Sequence, residues 1–153
     1  MTPAAAIKLA ENTAAAIDLA ENTGFKGSAV TVSDIHELIN VAAAFPTERD
    51  VHLNVCWALV NIARSGTACA QRVLDSGAVA TLLTVMSSWP DDAELMSYAS
   101  AVLYWIAVQG GPLTKRALVS TSGVVDALRR ASAVLLANGW YDNAARVLSA
   151  LGV

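Results

Sequence analysis

The residues able to do chemistry are few in this chain, and their spacing assembles no reaction centre. His36 and His52 are the only histidines, and Cys56 and Cys69 the only cysteines. Neither cysteine belongs to a C-x-x-C pair, and no ligand cluster of the tetrahedral metal type can be composed from these four. Asp91, Asp92 and Glu94 could attract a cation, but carboxylates also gather at helix starts, where they complement the positive end of the helix dipole. Ser76-Gly77 and Ser122-Gly123 sit at turn signals, not at the strand-to-helix bend that lifts a nucleophilic serine. Asp75 shares no motif with Cys69 or His52. Gly110-Gly111-Pro112 lacks the lysine and the serine or threonine of a phosphate loop. The expectation is a non-enzyme without metal or cofactor.

Composition narrows the class further. The 153 residues are 55% hydrophobic and 15% charged, too apolar for intrinsic disorder and long enough to bury a core without a metal or disulfide. Alanine, at 30 residues, is the strongest helix former and lets helices approach closely. The net charge of -3 lacks the positive footprint of a nucleic-acid-binding domain. It is unevenly spread: residues 1–50 sum to -4, 51–100 to -2 and 101–153 to +3. Lys115, Arg116, Arg129, Arg130 and Arg146 are therefore candidates for a basic patch facing an acidic partner, although the adjacent Arg129 and Arg130 diverge by about 100° on a helix.

Two lone cysteines fit a reducing compartment, so an intracellular and most simply cytoplasmic protein is expected. The apolar run Ala101–Val108 is far short of the ~20 residues of a membrane span. Glu11, Asp18 and Glu21 interrupt the stretch that a signal peptide would need unbroken.

The elements that must position any site are helices throughout. Ala4–Thr13 (AAAIKLAENT) is repeated as Ala14–Thr23 (AAAIDLAENT) with one change. Ile7, Ala10, Ala14 and Ile17 follow helical spacing, which predicts an amphipathic helix within residues 1–24 that Gly24 stops. It is either a docking arm or a cover for the domain's apolar end. Residues 25–32 read as a loop and 33–153 as the main domain. There, Ser33 is a candidate cap for a helix ending at Pro46, and Thr47 or Asp50 for one running to Arg64. Val51, Val55, Ala58, Leu59 and Ile62 form the latter's core face. Further helices are expected over 67–74, 79–87, from Asp91 or Asp92 to Gly110, 113–119, 124–137 and 141–151.

This order repeats. Phe45-Pro46 and Trp89-Pro90 lie 44 residues apart, as do Leu59–Ala63 and Leu103–Ala107, and Gly66 and Gly110. A helical period of 40–47 residues reads as a solenoid, in which stacked units share a core that none could bury alone.

Trp57-Ala58-Leu59-Val60-Asn61-Ile62-Ala63 resembles the third helix of an armadillo repeat. Gln71–Val79, followed by Leu82 and Leu83, is similar to the first helix, glycine turn and second helix of the next. The resemblance implies an all-α, right-handed solenoid of about two and a half to three repeats. It also implies a concave face of third helices that binds peptides or larger partners. By position, Trp57 would pack against peptide side chains and Asn61 would hydrogen-bond a peptide backbone. Ala101 and Trp105 stand at these places in the next repeat, and Arg146 and Ala150 in the last, so the regular Trp-Asn ladder is broken.

Tyr104 and Trp105 are adjacent and cannot both be buried on one helix face, so at least one is expected to face a groove or partner. Trp89, Trp140 and Tyr141 lie beside turns, where aromatics either close repeat edges or anchor an interface. The expected function is a non-catalytic protein–protein interaction module, a small structural or assembly subunit held in a stable hetero-complex. The alternative is a free adaptor that binds a linear peptide through Trp57, Asn61 and Trp105. No nucleic acid and no membrane insertion are expected.

Overall fold

Long alanine- and leucine-rich segments, punctuated by glycine, proline and capping residues, fold as the helices their spacing predicts. A computed structural model describes residues 1–22 and 32–153, with side chains described for 1–12 and 33–153. These form nine helices and no strands among the described residues. They are α1 (Pro3–Asn22), α2 (Val32–Ala44), α3 (Arg49–Arg64), α4 (Thr67–Asp75), α5 (Ala78–Ser88), α6 (Ala93–Gly110), α7 (Pro112–Ser120), α8 (Val124–Ala137) and α9 (Asn143–Leu151).

The helices pack in an ordered succession. α1 lies on α3, α3 on α6 and α6 on α9, while α2 packs on α5 and α5 on α8. The short α4 and α7 fill the space beside α6 and α9. α3 and α6 are central, so their burial extends well beyond one stripe. Val51, Val55, Ala58, Leu59 and Ile62 are buried as expected, but so are His52, Cys56, Val60, Asn61 and Ala63. Ala58, Ala63, Ala99 and Ala107 are fully enclosed, which lets neighbouring helices approach at close range. Among the described residues no helix is long and apolar enough to cross a membrane.

Several polar pairs join residues about as far apart in the chain as Phe45-Pro46 and Trp89-Pro90. Arg49 bonds Asp92, Gln109 bonds the Arg64 carbonyl, Thr114 bonds Gln71, Asn143 bonds Ser97, and Arg146 bonds Tyr104. Their separations are 43, 45, 43, 46 and 42 residues.

Several boundaries differ from the sequence expectation. Val32 and Ser33 already lie within α2, so Ser33 is not its cap. Glu48, not Thr47 or Asp50, precedes α3, and its side chain makes no capping bond. Thr47 is held in the turn after Pro46, and Asp50 falls inside the first helical turn. α9 begins after Asp142, whose side chain accepts from the Ala145 N–H, leaving Tyr141 outside the helix. Among the described side chains of α1, Ala6 and Ala10 are buried and Ile7 is partly covered. The expected side-chain positions of Ala14 and Ile17, the Gly24 stop and the loop over 25–31 lie outside what is described.

Candidate functional site

The strongest candidate surface is the strip of α3, α6 and α9 that their neighbours leave partly open. On α3 the buried majority leaves Asn54, Trp57 and Arg64 at or near the surface. On α6 Tyr98, Ala101, Tyr104 and Trp105 are half-buried and Val108 is exposed. Arg146 is exposed on α9.

Trp57 is 41% exposed. Its indole meets the Tyr98 ring edge-to-face, with centroids 5.8 Å apart and planes at 84°. Leu53, Asn54 and Glu11 complete a hollow of about 350 Å³ around this pair. Three helices therefore contribute: α1 the carboxylate, α3 the indole and amide, α6 the phenol. Asn54 is positioned by its own helix, donating through Nδ2 to the Asp50 carbonyl at 2.8 Å.

Asn61 shares the helix face of Trp57, as its four-residue offset requires, but it is not presented in the same way. It is 1% exposed, and its Oδ1 accepts from Arg64 Nη2 at 2.7 Å. Its Nδ2 is buried with no hydrogen-bond partner among the described residues. Tyr104 and Trp105 pack edge-to-face at 5.3 Å, and each stays partly exposed. Arg146 places its guanidinium 4.0 Å from the Tyr104 ring centre and 5.4 Å from that of Tyr141. It also donates to the Tyr104 hydroxyl at 2.7 Å.

The remaining candidates have separate surroundings. Trp89 is half-buried against His52, with ring centres 4.9 Å apart, whereas Trp140 and Tyr141 are exposed. Arg129 is 3.9 Å from Asp126 of its own helix. Arg130 lines a hollow with Asp91 between α5 and α8. Lys115 and Arg116 are on α7. Arg146, engaged with two tyrosines, belongs to the aromatic strip.

Groups with catalytic potential are held elsewhere. His52 Nε2 lies 2.9 Å from the Phe45 carbonyl oxygen, and Asp75 accepts from Gln71 Nε2 at 2.8 Å. Burial pushes the Cys56 thiol up to about 12, so it is no nucleophile near neutrality. Ser76 Oγ donates to the Val73 carbonyl at 2.6 Å. Asp92 is committed to Arg49 and to capping α6. Among the described residues no three His, Cys, Asp or Glu side chains gather as a metal ion would require.

Tyr98 was missed as a site residue by reading the sequence. Its signal was present: it stands 44 residues after Asn54 and three before Ala101, on the strip those positions define. No family model matches the chain, and no curated protein or solved structure matches it.

Proposed function

We propose that this chain is a non-catalytic protein–protein interaction module: an armadillo-like, right-handed helical solenoid of two and a half to three repeats. It serves as a small structural or assembly subunit of a larger protein complex. The observation that carries the reading is the set of polar pairs joining residues 42–46 apart. Such pairs are what units stacked at a fixed sequence period make with their nearest neighbours. The succession α1–α3–α6–α9 supports it, with α1 taking the place of a third helix before the first full unit. Aromatic side chains with a few polar groups on the open strip suit a protein partner, since such residues anchor interfaces. Two free, buried cysteines suit a reducing cytoplasmic setting.

The test is gentle purification of the tagged chain from its own cells, with native mass measured and co-purifying chains counted. A fixed complex with a stoichiometric partner is expected. A lone chain of 15.9 kDa with no stoichiometric partner overturns the subunit reading.

One observation favours a second reading, a free adaptor for a linear peptide. Trp57 stands exposed over a hollow also lined by Asn54 and Tyr98, a place for one peptide side chain. Trp57→Ala and Asn54→Ala should then weaken peptide binding while helicity is kept, and equal binding by all three proteins removes this reading.

A further inference from the structure

The hollow beside Trp57 has a charge preference that its shape alone does not show. Glu11 of α1 is the only charged residue in its lining, and no lysine or arginine lines it among the described residues. Glu11 and Trp57 are both exposed, so a molecule arriving from solvent can touch them. Asn54 donates through Nδ2 to the Asp50 carbonyl, which leaves its Oδ1 as an acceptor. Trp57 and Tyr98 meet edge-to-face, with centroids 5.8 Å apart. In such a pair the edge of one ring touches the face of the other, so each ring keeps at least one face clear of its neighbour. Aromatic faces are electron-rich and attract cations, whereas an anion would be repelled by Glu11.

The same strip already holds a cation in this way. Arg146 sets its guanidinium 4.0 Å from the centre of the Tyr104 ring. At Trp57 and Glu11 the matching positive charge is one that another molecule brings.

The kind of cation follows from the rest of the lining. A bare lysine ammonium is compact, strongly hydrated and carries three donors. It keeps its water unless acceptors surround it, and here Leu53 and two rings supply most of the wall. Methylation removes the donors, spreads the charge and adds apolar surface, which suits a cation seated on aromatic faces. We propose that this hollow receives a trimethylated lysine side chain of a protein partner, its ammonium against Trp57 and Tyr98 and Glu11 as counter-ion. The proposal rests on the reading that the open strip binds a protein, and it names what that partner presents at Trp57.

The probe is Nα-acetyl-trimethyl-lysine amide, titrated into the full chain and followed by NMR. Its controls are the unmethylated lysine amide and the neutral isostere with tert-butyl in place of trimethylammonium. The N-methyl signal should move upfield through ring current, and the indole N–H signal that Trp57→Leu deletes should shift. The probe should bind at least about fivefold more tightly than either control. Glu11→Gln, an exposed change of like size, should weaken the probe by about twofold to fivefold and leave the isostere unaffected. Trp57→Leu should abolish the N-methyl shift; if that variant fails to fold, the isostere comparison and Glu11→Gln decide. An isostere or unmethylated lysine that binds as well as the probe, undiminished probe binding by Glu11→Gln, or a motionless N-methyl signal overturns the proposal. A stable complex with no probe response removes this proposal and keeps the subunit reading. A lone chain that prefers the probe removes the subunit reading and keeps the cation specificity.

Discussion

Arg49 at the start of α3 grips Asp92 at the start of α6 through two hydrogen bonds, Nε to Oδ2 at 2.5 Å and Nη2 to Oδ1 at 3.1 Å. The same Oδ1 accepts from the Leu95 N–H at 3.1 Å. One carboxylate therefore closes the start of α6 and fastens it to the start of α3. Glu94 adds a second acid 3.7 Å from Arg49. The Arg49 hydrogen bond holds the Asp92 carboxyl below the usual carboxylate range, against the opposing effect of burial.

Asp92→Ala should thus cost more than Arg49→Met. The first removes a cap and a bond between α3 and α6, about 1–2 kcal/mol together. The second removes a partly exposed ion pair, worth about 0–1 kcal/mol. Asp92→Asn keeps the cap and should fall between them. Urea unfolding ranks the three, and equal losses for Asp92→Ala and Arg49→Met would contradict the dual role.

His52 gives folding a pH dependence of defined sign. Desolvation lowers its pKa below the ordinary 6.5, outweighing the Phe45 carbonyl. Between its folded and unfolded values the unfolded chain binds the extra proton, so stability rises with pH in that window. The contribution is complete above 6.5 and declines as pH falls below it, until the folded-state value is reached. His52→Gln, whose amide can still donate to Phe45, should flatten the slope just below pH 6.5 in chemical-denaturation midpoints. An unchanged slope would assign it to other groups.

Gly77 and Gly123 occupy equivalent turns before α5 and α8, with φ of +83° and +89°. Gly77 has open space where a Cβ would sit, so Gly77→Ala tests the left-handed backbone alone. A loss of about 1 kcal/mol is expected there. Gly123→Ala should lose a similar amount, and the double variant should lose the sum. A neutral Gly77→Ala would mean that the turn is not held left-handed.

Cys56 and Cys69 are both buried free thiols. In the folded protein at pH 8 neither should react with a thiol reagent at a rate above that of unfolding, and both should react in denaturant. Fast labelling of the native chain would show one of them accessible.

The helices were legible because glycine, proline and the periodic apolar residues act locally. Pro46, Gly66, Pro90 and Gly110 mark ends that need no tertiary information, and their spacing carries the period. What lay hidden depends on packing and on side-chain partners that local spacing does not show. Asn61 reads as a surface amide on α3, yet Arg64 and the packing around it leave it 1% exposed. Arg146 reads as part of a basic patch, but its partner is Tyr104, 42 residues earlier. Thr47 and Asp50 are better capping types than Glu48; the turn after Pro46 places Glu48 at the cap position all the same.

The assembly proposed above would be held through the aromatic strip of α3, α6 and α9. Its most direct test compares native masses of tagged wild type and Trp57→Ala purified gently from the same cells. The account predicts a fixed high-mass complex for the wild type and release of the variant as a folded chain near 15.9 kDa. A wild-type chain that runs alone at that mass, or a complex indifferent to Trp57→Ala, would contradict it.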